Sequence, residues 1–591
     1  MFWLCGALLL LCALALNLRV LDFGFLYLRD DDVNVTLNPH MGGLDAARLR
    51  WMFTDLSYVR RYIPLGWLGF SATYQFAGLD ALPYHAVALV LYLVNAGLVL
   101  AIIAHVLRIL VPAGRAAGLS PWEVGSAALA AAWWAFHPFR VETTAWVSGN
   151  LYGQSMALFL ASLLAYLRTY LSPGRGRAAW LWLSAACYAA SLLTYPLALG
   201  APVLLVGLDW LHARSGLSGV PFRRLLAEKA AFVLPLAAVL CATLAARFGN
   251  TEVFGAVPGM RELPLLNRVA QSAYVACYYL WKPWWPVNLS PLYDMLVDFN
   301  PSGAPFVLSI AFVTGASALA VAAFRRWPAV AVVWFGYLAS AAPFFGLTEK
   351  PHMPSDRYGY FLTVITAALL AAGLARAASG RARVLAAACG LAVIALLGRQ
   401  SLRQMEVWSD DRVQHAYVAA RLTNAEFLDD FRSRLLILEF LRGHEKEASD
   451  EVASRLARNP GSQGFRRAAA LFADKRRISV YYGPVSFLAI AQDQMGLNFA
   501  MAGEYSEAND HFEDALRMDE RFYQASYDRA LVLLRLGRCD DALRSYLLSA
   551  HWASPALPAA QTREFLGRLA RLAQAQGRPG LAAAALSALA R

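Results

Sequence analysis

The sequence opens with an apolar run, residues 1–21, and then places three acids together in Tyr27-Leu28-Arg29-Asp30-Asp31-Asp32. The run is long enough to cross a hydrocarbon core as a helix. It has no basic residue before it and no cleavage pattern followed by a soluble domain, so we expect a retained first helix rather than a cleaved signal. Grouped carboxylates at a membrane surface repel each other and lose hydration. The acids therefore indicate either a solvated loop beyond a membrane anchor or a general base beside a membrane-bound substrate.

The composition of the whole chain indicates an integral membrane protein. Of its 591 residues, 58% are hydrophobic and 16% are charged, whereas soluble proteins are about 45–50% apolar and about 25% charged. The net charge of +12 does not indicate nucleic-acid binding, because most arginines lie in short loops between apolar runs, where they set membrane orientation. The seven cysteines form no CxxC pair and predict neither a disulfide framework nor a zinc site.

Apolar runs predict an all-α, polytopic membrane domain of about 11 spans over residues 1–399. With the N-terminus in the cytoplasm, each predicted cytoplasmic loop holds at least two basic residues, which is the positive-inside pattern. In this register residues 268–283 do not cross, and we interpret them as a re-entrant or interfacial helix. The predicted spans are residues 1–21, 84–107, 122–136, 151–167, 179–195, 197–211, 230–247, 304–324, 328–347, 358–375 and 384–398.

Two connections between the predicted spans carry further expectations. The first outer loop, residues 22–83, is too long for a simple connector, and we expect it to contain short helices lying on the membrane. At Tyr195-Pro196 the apolar run is too long for one span, so we expect a turn there rather than a kink.

From about residue 400 the pattern becomes that of a soluble helical domain, residues 400–591. Small and aromatic residues recur there with a spacing of 34 residues, which is the period of a tetratricopeptide repeat. We expect the best repeats at about 491–552, stacked into a concave surface that binds peptides or proteins. A generic array of helical hairpins is the alternative. The recurring pairs are Gly503 with Gly537, Ala508 with Ala542, and Phe512 with Tyr546.

Polar groups gather at four places on the predicted outer side. Each alone is compatible with a helix cap or an interfacial anchor. Together they supply acids for a base and cations for a lipid phosphate, which Arg or Lys binds through charge-assisted hydrogen bonds. The four places are the acid loop; His137 to Glu142 with Trp146 and Asn150; Lys282 with its aromatic neighbours, Asn288 and Asp294; and Glu349-Lys350 with Asp356-Arg357-Tyr358.

Motifs spread over nearly the whole chain resemble the membrane glycosyltransferases of the GT-C type with C-terminal tetratricopeptide repeats. That group includes bacterial multi-span repeat proteins and is similar to the animal TMTC O-mannosyltransferase family. The motifs are specific together and weak singly. They are His137-Pro138 with Val141-Glu142 and Ala145-Trp146-Val147; Tyr279-Leu280-Trp281-Lys282 with Trp285-Pro286; Asp356-Arg357-Tyr358 with Tyr360; and the acids followed by Asn38-Pro39, Trp51 and Pro64-Leu65.

The resemblance implies a polyprenyl-phosphate sugar as donor and an acid of the first outer loop as catalytic base. The family's acid pair falls on Asp30 and Asp31, with Asp32 as an extra acid, so the choice of base stays open. Transfer to an acceptor, in the first place a protein hydroxyl, would invert the anomeric centre. A divalent cation at Asp30 and Asp31 is a further possibility, although no complete set of oxygen ligands is visible. The candidate residues for donor phosphate or sugar are Arg357, Lys282, His137, Arg140, Glu142, Asp356 and Tyr358.

Two other functions stay open. One is a non-catalytic scaffold whose repeats assemble envelope complexes, and the other is a transporter or polymerase of lipid-linked glycans. Transport fits less well, because the charged groups lie in predicted loops rather than within helices. The expected partners are the lipid bilayer, the sugar donor and a protein bound by the repeats. The Ala- and Arg-rich composition suggests a bacterial inner membrane with the repeats in the periplasm; in a eukaryote they would lie in the lumen of the endoplasmic reticulum.

Overall fold

The computed structural model describes residues 1–36, 38, 40–41, 44–110, 118–172, 174–214, 220–249, 260–347, 354–376, 380–441, 444–473, 487–552 and 559–589. Within these ranges the regular elements are helices and no strand occurs, which confirms the expected all-α class. The chain divides into two compact units, one covering most of the sequence up to Leu428 and one covering most of Asp429–Arg591.

The first unit consists of long helices joined by shorter helical segments. Local sequence sets several helix ends: Ser120 caps α5 by accepting from the Glu123 amide, and the Glu123 side chain accepts from the Ser120 amide in return. The helices are α1 Phe2–Asn17, α2 Ala46–Thr54, α3 Pro64–Ala77, α4 Ala81–Leu110, α5 Pro121–Ala135, α6 Val141–Ala145, α7 Asn150–Thr169, α8 Gly174–Thr194, α9 Ala201–Arg214, α10 Phe222–Ala227, α11 Ala230–Gly249, α12 Leu265–Trp281, α13 Ala304–Ala322, α14 Pro328–Ala341, α15 Gly359–Ala375, α16 Arg381–Val407 and α17 Asp411–Ala419.

Among the described residues, six helical segments are long and apolar enough to cross a membrane. All six overlap predicted spans. The remaining predicted spans lie in α5, α7, α8, α9 and α14, which are shorter or carry more polar side chains, so the count of about 11 stays a prediction. The six segments are Phe2–Asp22, Ala81–Ile109, Phe222–Phe248, Ala304–Ala322, Asp356–Ala375 and Arg381–Val407.

The connections between helices agree with the sequence pattern. The first long loop holds α2, α3 and two short helical segments, Asp32–Thr36 and Tyr58–Arg60, as expected. The chain also breaks at Tyr195-Pro196, because α8 ends at Thr194 and α9 begins at Ala201. The predicted boundary between residues 399 and 400 falls inside α16. The expectation that α12 does not cross the membrane stays a prediction.

The second unit is built of helices in consecutive antiparallel pairs. Gly503 lies between the two helices of one pair, Phe487–Ala502 and Tyr505–Met518, and Gly537 between those of the next, Tyr523–Arg535 and Cys539–Trp552. Their φ angles are 84° and 76°, a backbone region that favours glycine. Ala508 and Ala542, also 34 residues apart, are fully buried, so paired helices approach closely. After the bridging α18, Ala425–Leu441, the helices are α19 Glu445–Arg458, α20 Gln463–Ala473, α21 Phe487–Ala502, α22 Tyr505–Met518, α23 Tyr523–Arg535, α24 Cys539–Trp552, α25 Ala559–Ala575 and α26 Pro579–Leu589.

The first residue of α15 gives a stability prediction for the first unit. A Cβ added at Gly359 would collide with the ring of Phe139, whereas one added at Gly373 in the same helix would meet nothing within 4 Å. We expect Gly359→Ala to destabilise the protein by about 1–3 kcal/mol through overpacking. Gly373→Ala is the matched control, and we expect it to be neutral or slightly stabilising. Thermal unfolding of both purified variants in detergent checks this, and equal melting temperatures would contradict the packing.

Candidate functional site

Four chain segments that are remote in sequence meet at one end of the first unit's helices. They are the acid loop after α1, the turn before α7, the start of α15 and the residue that follows α8. Side-chain hydrogen bonds link them: Asp31 accepts from Ser148, Arg357 donates to Tyr152, and Tyr152 donates to Tyr195. The predicted outer ends of these helices therefore share one polar cluster.

Asp31 is the fully buried member of the acid loop. Its Oδ2 accepts from the Leu26 amide at 2.8 Å, and its Oδ1 accepts from the Ser148 amide at 2.8 Å and the Ser148 hydroxyl at 2.6 Å. Burial raises the pKa of Asp31 to about 7, although these hydrogen bonds act in the opposite direction. Because both oxygens already accept from the protein, Asp31 fixes the loop against the turn before α7.

Asp30 differs from its neighbour in both access and charge. Its Oδ2 accepts from Arg61 Nη2 at 2.9 Å, and its side chain is 47% exposed. Its backbone has a φ of 61°, which aspartate tolerates better than most residues. Burial acts to raise the pKa of Asp30, but the charges of Arg61, Arg357 and Arg29 outweigh it and lower the pKa. Asp30 is therefore an ionised carboxylate with a solvent-accessible side.

Asp32 differs from the other two acids in its hydrogen-bond partner. It is buried, and its Oδ1 accepts from the next amide, that of Val33, at 2.8 Å. Burial and the nearby Asp30 charge raise the pKa of Asp32 well above its usual value. Of the three acids, Asp30 alone combines a negative charge with access.

Arg357 is the cation best placed to meet a ligand. Glu142 holds it twice, accepting from the Arg357 amide at 2.7 Å and from Nη1 at 2.6 Å. Arg357 Nε donates to the Tyr152 hydroxyl at 3.0 Å, and the guanidinium lies 5.0–5.5 Å from the ring centres of Trp146, Tyr152 and Tyr358. Among the described residues, Nη2 has no hydrogen-bond partner and is not wholly buried, so it retains N–H groups for an anion.

His137 and Arg140 lie in the framework beside this cluster. His137 Nδ1 accepts from the Phe139 amide, Nε2 donates to the Pro283 carbonyl, and burial lowers the pKa of the ring to about 3. A neutral imidazole with both nitrogens engaged offers no charge to a phosphate. The buried Arg140 guanidinium donates to the carbonyls of Gly359 and Tyr360 at 3.0 Å. The structure therefore places both residues where they hold neighbouring segments, in the case of Arg140 the start of α15.

Asp356 and Lys282 form a second polar group next to Arg357. Asp356 Oδ1 accepts from the hydroxyls of Tyr278 and Tyr293, both at 3.0 Å. Lys282 is 6% exposed and donates to the Val287 carbonyl at 2.8 Å. Burial lowers the pKa of Lys282, and the charge of Asp356 partly offsets this effect. The side chains of Asp356 and Lys282 are thus both buried.

Tyr358 and the predicted neighbours Glu349 and Lys350 complete the set of predicted residues. The Tyr358 ring stacks on Phe344 with 4.3 Å between centroids, and it also lies beside Arg357. Tyr358 is therefore part of the aromatic surface around the cation. Glu349 and Lys350 lie outside the described residues.

Several residues of the cluster were not singled out by sequence analysis. Arg61 pairs with Asp30 and also donates to Asn34 Oδ1 at 3.1 Å, and Asn34 Nδ2 donates to the Ser148 hydroxyl at 2.9 Å. The dipeptide Arg60-Arg61 is a visible signal, because it is a basic pair in a loop predicted to lie outside. Ser148 carries no such signal, since its role depends on a partner 117 residues away.

Among the described residues, no group of three or more His, Cys, Asp or Glu side chains is placed to hold a metal ion. In this structure Asp30 forms an ion pair with Arg61, and Asp31 accepts hydrogen bonds from protein donors. A divalent cation at these acids stays a prediction.

Comparisons with models of protein families, with curated proteins and with solved structures give no match to this chain. The resemblance to the GT-C type transferases therefore depends on the motifs quoted above.

The contrast between Asp31 and Asp30 gives a second prediction. Asp31→Asn puts an amide N–H against donors that the carboxylate accepted, and a buried unsatisfied donor costs about 1–3 kcal/mol. Asp30→Asn removes a partly exposed ion pair, worth about 0–1 kcal/mol. We expect thermal unfolding to show a lower melting temperature for Asp31→Asn and little change for Asp30→Asn. The reverse order would contradict the assignment of Asp31 as the structural acid.

Proposed function

We propose that this chain is an inverting glycosyltransferase that moves a sugar from a polyprenyl-phosphate donor to an acceptor hydroxyl. The observation that carries the proposal is the convergence of an accessible, ionised carboxylate, Asp30, with a preoriented cation, Arg357. These residues are 327 positions apart in the sequence. The motif resemblance supports a GT-C-like membrane unit of about 11 spans, followed by a tetratricopeptide-like α-solenoid.

The choice of base depends on access before pKa. A pKa near 7 would suit Asp31 to proton transfer at neutral pH. However, three protein donors occupy its two oxygens, and the residue is fully buried, so no hydroxyl can reach it without breaking the loop. Asp30 is a weaker base, yet it is ionised and half exposed. We therefore assign the base role to Asp30, with Arg61 as the partner that orients it.

The donor phosphate is assigned to Arg357. Glu142 is the group that holds the guanidinium, and it is 3% exposed, so it orients Arg357 without competing for the open side. Arginine binds phosphate oxygens through a planar fork of N–H groups, and a partly desolvated fork binds more strongly than one in water. The buried rings of Trp146 and Tyr152 beside the guanidinium exclude water from that side of it.

In the proposed reaction, Asp30 and Arg357 each have one role. The acceptor oxygen bonds to the anomeric carbon while the bond from that carbon to the phosphate oxygen breaks. Asp30 takes the acceptor's proton, and Arg357 stabilises the charge on the departing polyprenyl phosphate. Attack opposite the leaving group inverts the anomeric centre through an oxocarbenium-like transition state.

The remaining parts of the proposal concern place and partner. The repeats of the second unit would bind or select a protein acceptor, and the polyprenyl-phosphate donor would be drawn from the lipid bilayer. In a bacterium the site would face the periplasm from the inner membrane, with the repeats on the same side. The membrane part is supported by the six apolar helical segments.

A transfer assay tests the proposal. Purified protein in detergent is incubated with radiolabelled polyprenyl-phosphate sugars and a periplasmic extract. We expect transfer by the wild type with an inverted product, and losses of about 10²–10⁴-fold in Asp30→Asn, the range typical of a general base. Arg357→Gln should lose a comparable amount.

Two variants serve as controls because they lie away from the cluster. Asp80 caps the start of α4 in the same long loop, and Arg376 donates to a carbonyl at the far end of α15. Asp80→Asn and Arg376→Gln should retain wild-type transfer. Full activity in Asp30→Asn would overturn the assignment of Asp30 as the base. A wild type that transfers no sugar from any donor while still capturing partners would favour the scaffold instead.

A further inference from the structure

The backbone just before Asp30 is held by a second carboxylate that comes from far along the chain. Asp411, the first residue of α17, accepts from the amide of Tyr27 at 3.3 Å and from the amide of Leu28 at 3.2 Å. Both of its oxygens are used, one for each amide. Asp411 is 2% exposed, so water does not compete for these donors.

The same face of α17 makes another contact with the acid loop. Gln414, one helical turn after Asp411, accepts from Arg29 Nε at 3.0 Å. At the same residue, Trp146 Nε1 donates to the Arg29 carbonyl. The loop is therefore held both by α17 and by the indole that also lies beside the Arg357 guanidinium.

These contacts lie next to a residue with an unfavourable backbone conformation. Asp30 has a left-handed φ of 61°, a conformation that costs free energy and persists when its surroundings fix it. Immediately before it, the amides of residues 26, 27 and 28 all donate to carboxylates, the first to Asp31 and the other two to Asp411. Loss of either carboxylate frees the segment that directs the Asp30 side chain.

We propose that Asp411 is a positioning residue for the acid loop, so that the reaction site is completed by a residue from beyond the predicted membrane domain, residues 1–399. The inference rests on the proposed function, in which Asp30 is the base. Asp411 touches no substrate in this scheme and positions the loop through the backbone of Tyr27 and Leu28. Misplacement of a catalytic group by about 1 Å can cost about 10²-fold in rate.

The neighbouring residue offers a matched control. Asp410 is also a carboxylate at the start of α17, but it is exposed and accepts from the amide of Arg412 within its own helix. Asp410→Asn and Asp411→Asn therefore remove the same charge from adjacent positions. Only Asp411→Asn places an amide group against the N–H donors of the acid loop.

The test has two readouts on the full-length protein in detergent. Hydrogen exchange should be about tenfold faster at Tyr27 and Leu28 in Asp411→Asn, with other segments unchanged, and unchanged throughout in Asp410→Asn. In the transfer assay, kcat should fall about 10- to 100-fold in Asp411→Asn while KM for the polyprenyl-phosphate sugar stays within about twofold, because Arg357 is untouched. Asp411→Glu, which keeps two acceptor oxygens, should recover part of kcat.

The outcomes separate this inference from the proposed function. Wild-type transfer together with unchanged exchange at Tyr27 and Leu28 in Asp411→Asn overturns the positioning role alone. A rise in KM at constant kcat also overturns it, since the defect would then lie in donor binding. A wild type without transferase activity overturns both proposals. If Asp411→Asn simply unfolds, exchange rises throughout the chain, and the Asp411→Glu variant then decides through the same kcat and KM comparison.

Discussion

The ion pair between Glu142 and Arg357 is the interaction on which the rest of the cluster depends. A carboxylate that is 3% exposed is strongly unfavourable without a partner for its charge. An arginine side chain that is 19% exposed also needs such a partner, because it has lost most of its hydration. Glu142 meets both needs and also accepts from the Arg357 backbone, so the guanidinium and the start of α15 are fixed together. One nitrogen of the guanidinium is left over, and the proposed chemistry uses that remainder. Buried pairs of this kind add little net stability but fix geometry.

The same logic organises the acids. The three adjacent carboxyls differ in state: Asp31 is buried among donors, Asp32 has a pKa raised by burial, and Asp30 is ionised beside Arg61. Each state follows from the immediate environment rather than from the residue type. A loop that holds one exposed carboxylate next to fixed cations is suited to proton transfer beside an anionic lipid headgroup. The framework residues Arg140 and His137 contribute by holding neighbouring backbone, which is a less visible but equally necessary task.

The helical class and several connections were predictable from the sequence because hydrophobic length and turn residues are local signals. The all-α class, the short helices of residues 22–83 and the turn at Tyr195 all follow from such signals. The partnerships within the cluster were not predictable. Asp30 and Arg61 are 31 residues apart, and Tyr27 and Asp411 are 384 apart. A sequence shows the charge of His137 and Arg140 but not their burial, and a role for them at the donor stays a prediction.

The most direct test of the central claim is binding of a polyprenyl phosphate without sugar, measured at equilibrium with a radiolabelled lipid in detergent. The account predicts saturable binding by the wild type, binding weakened by at least about tenfold in Arg357→Gln, equivalent to roughly 1.4 kcal/mol, and nearly normal binding in Asp30→Asn. Equal affinity of the wild type and Arg357→Gln for the lipid phosphate would contradict it.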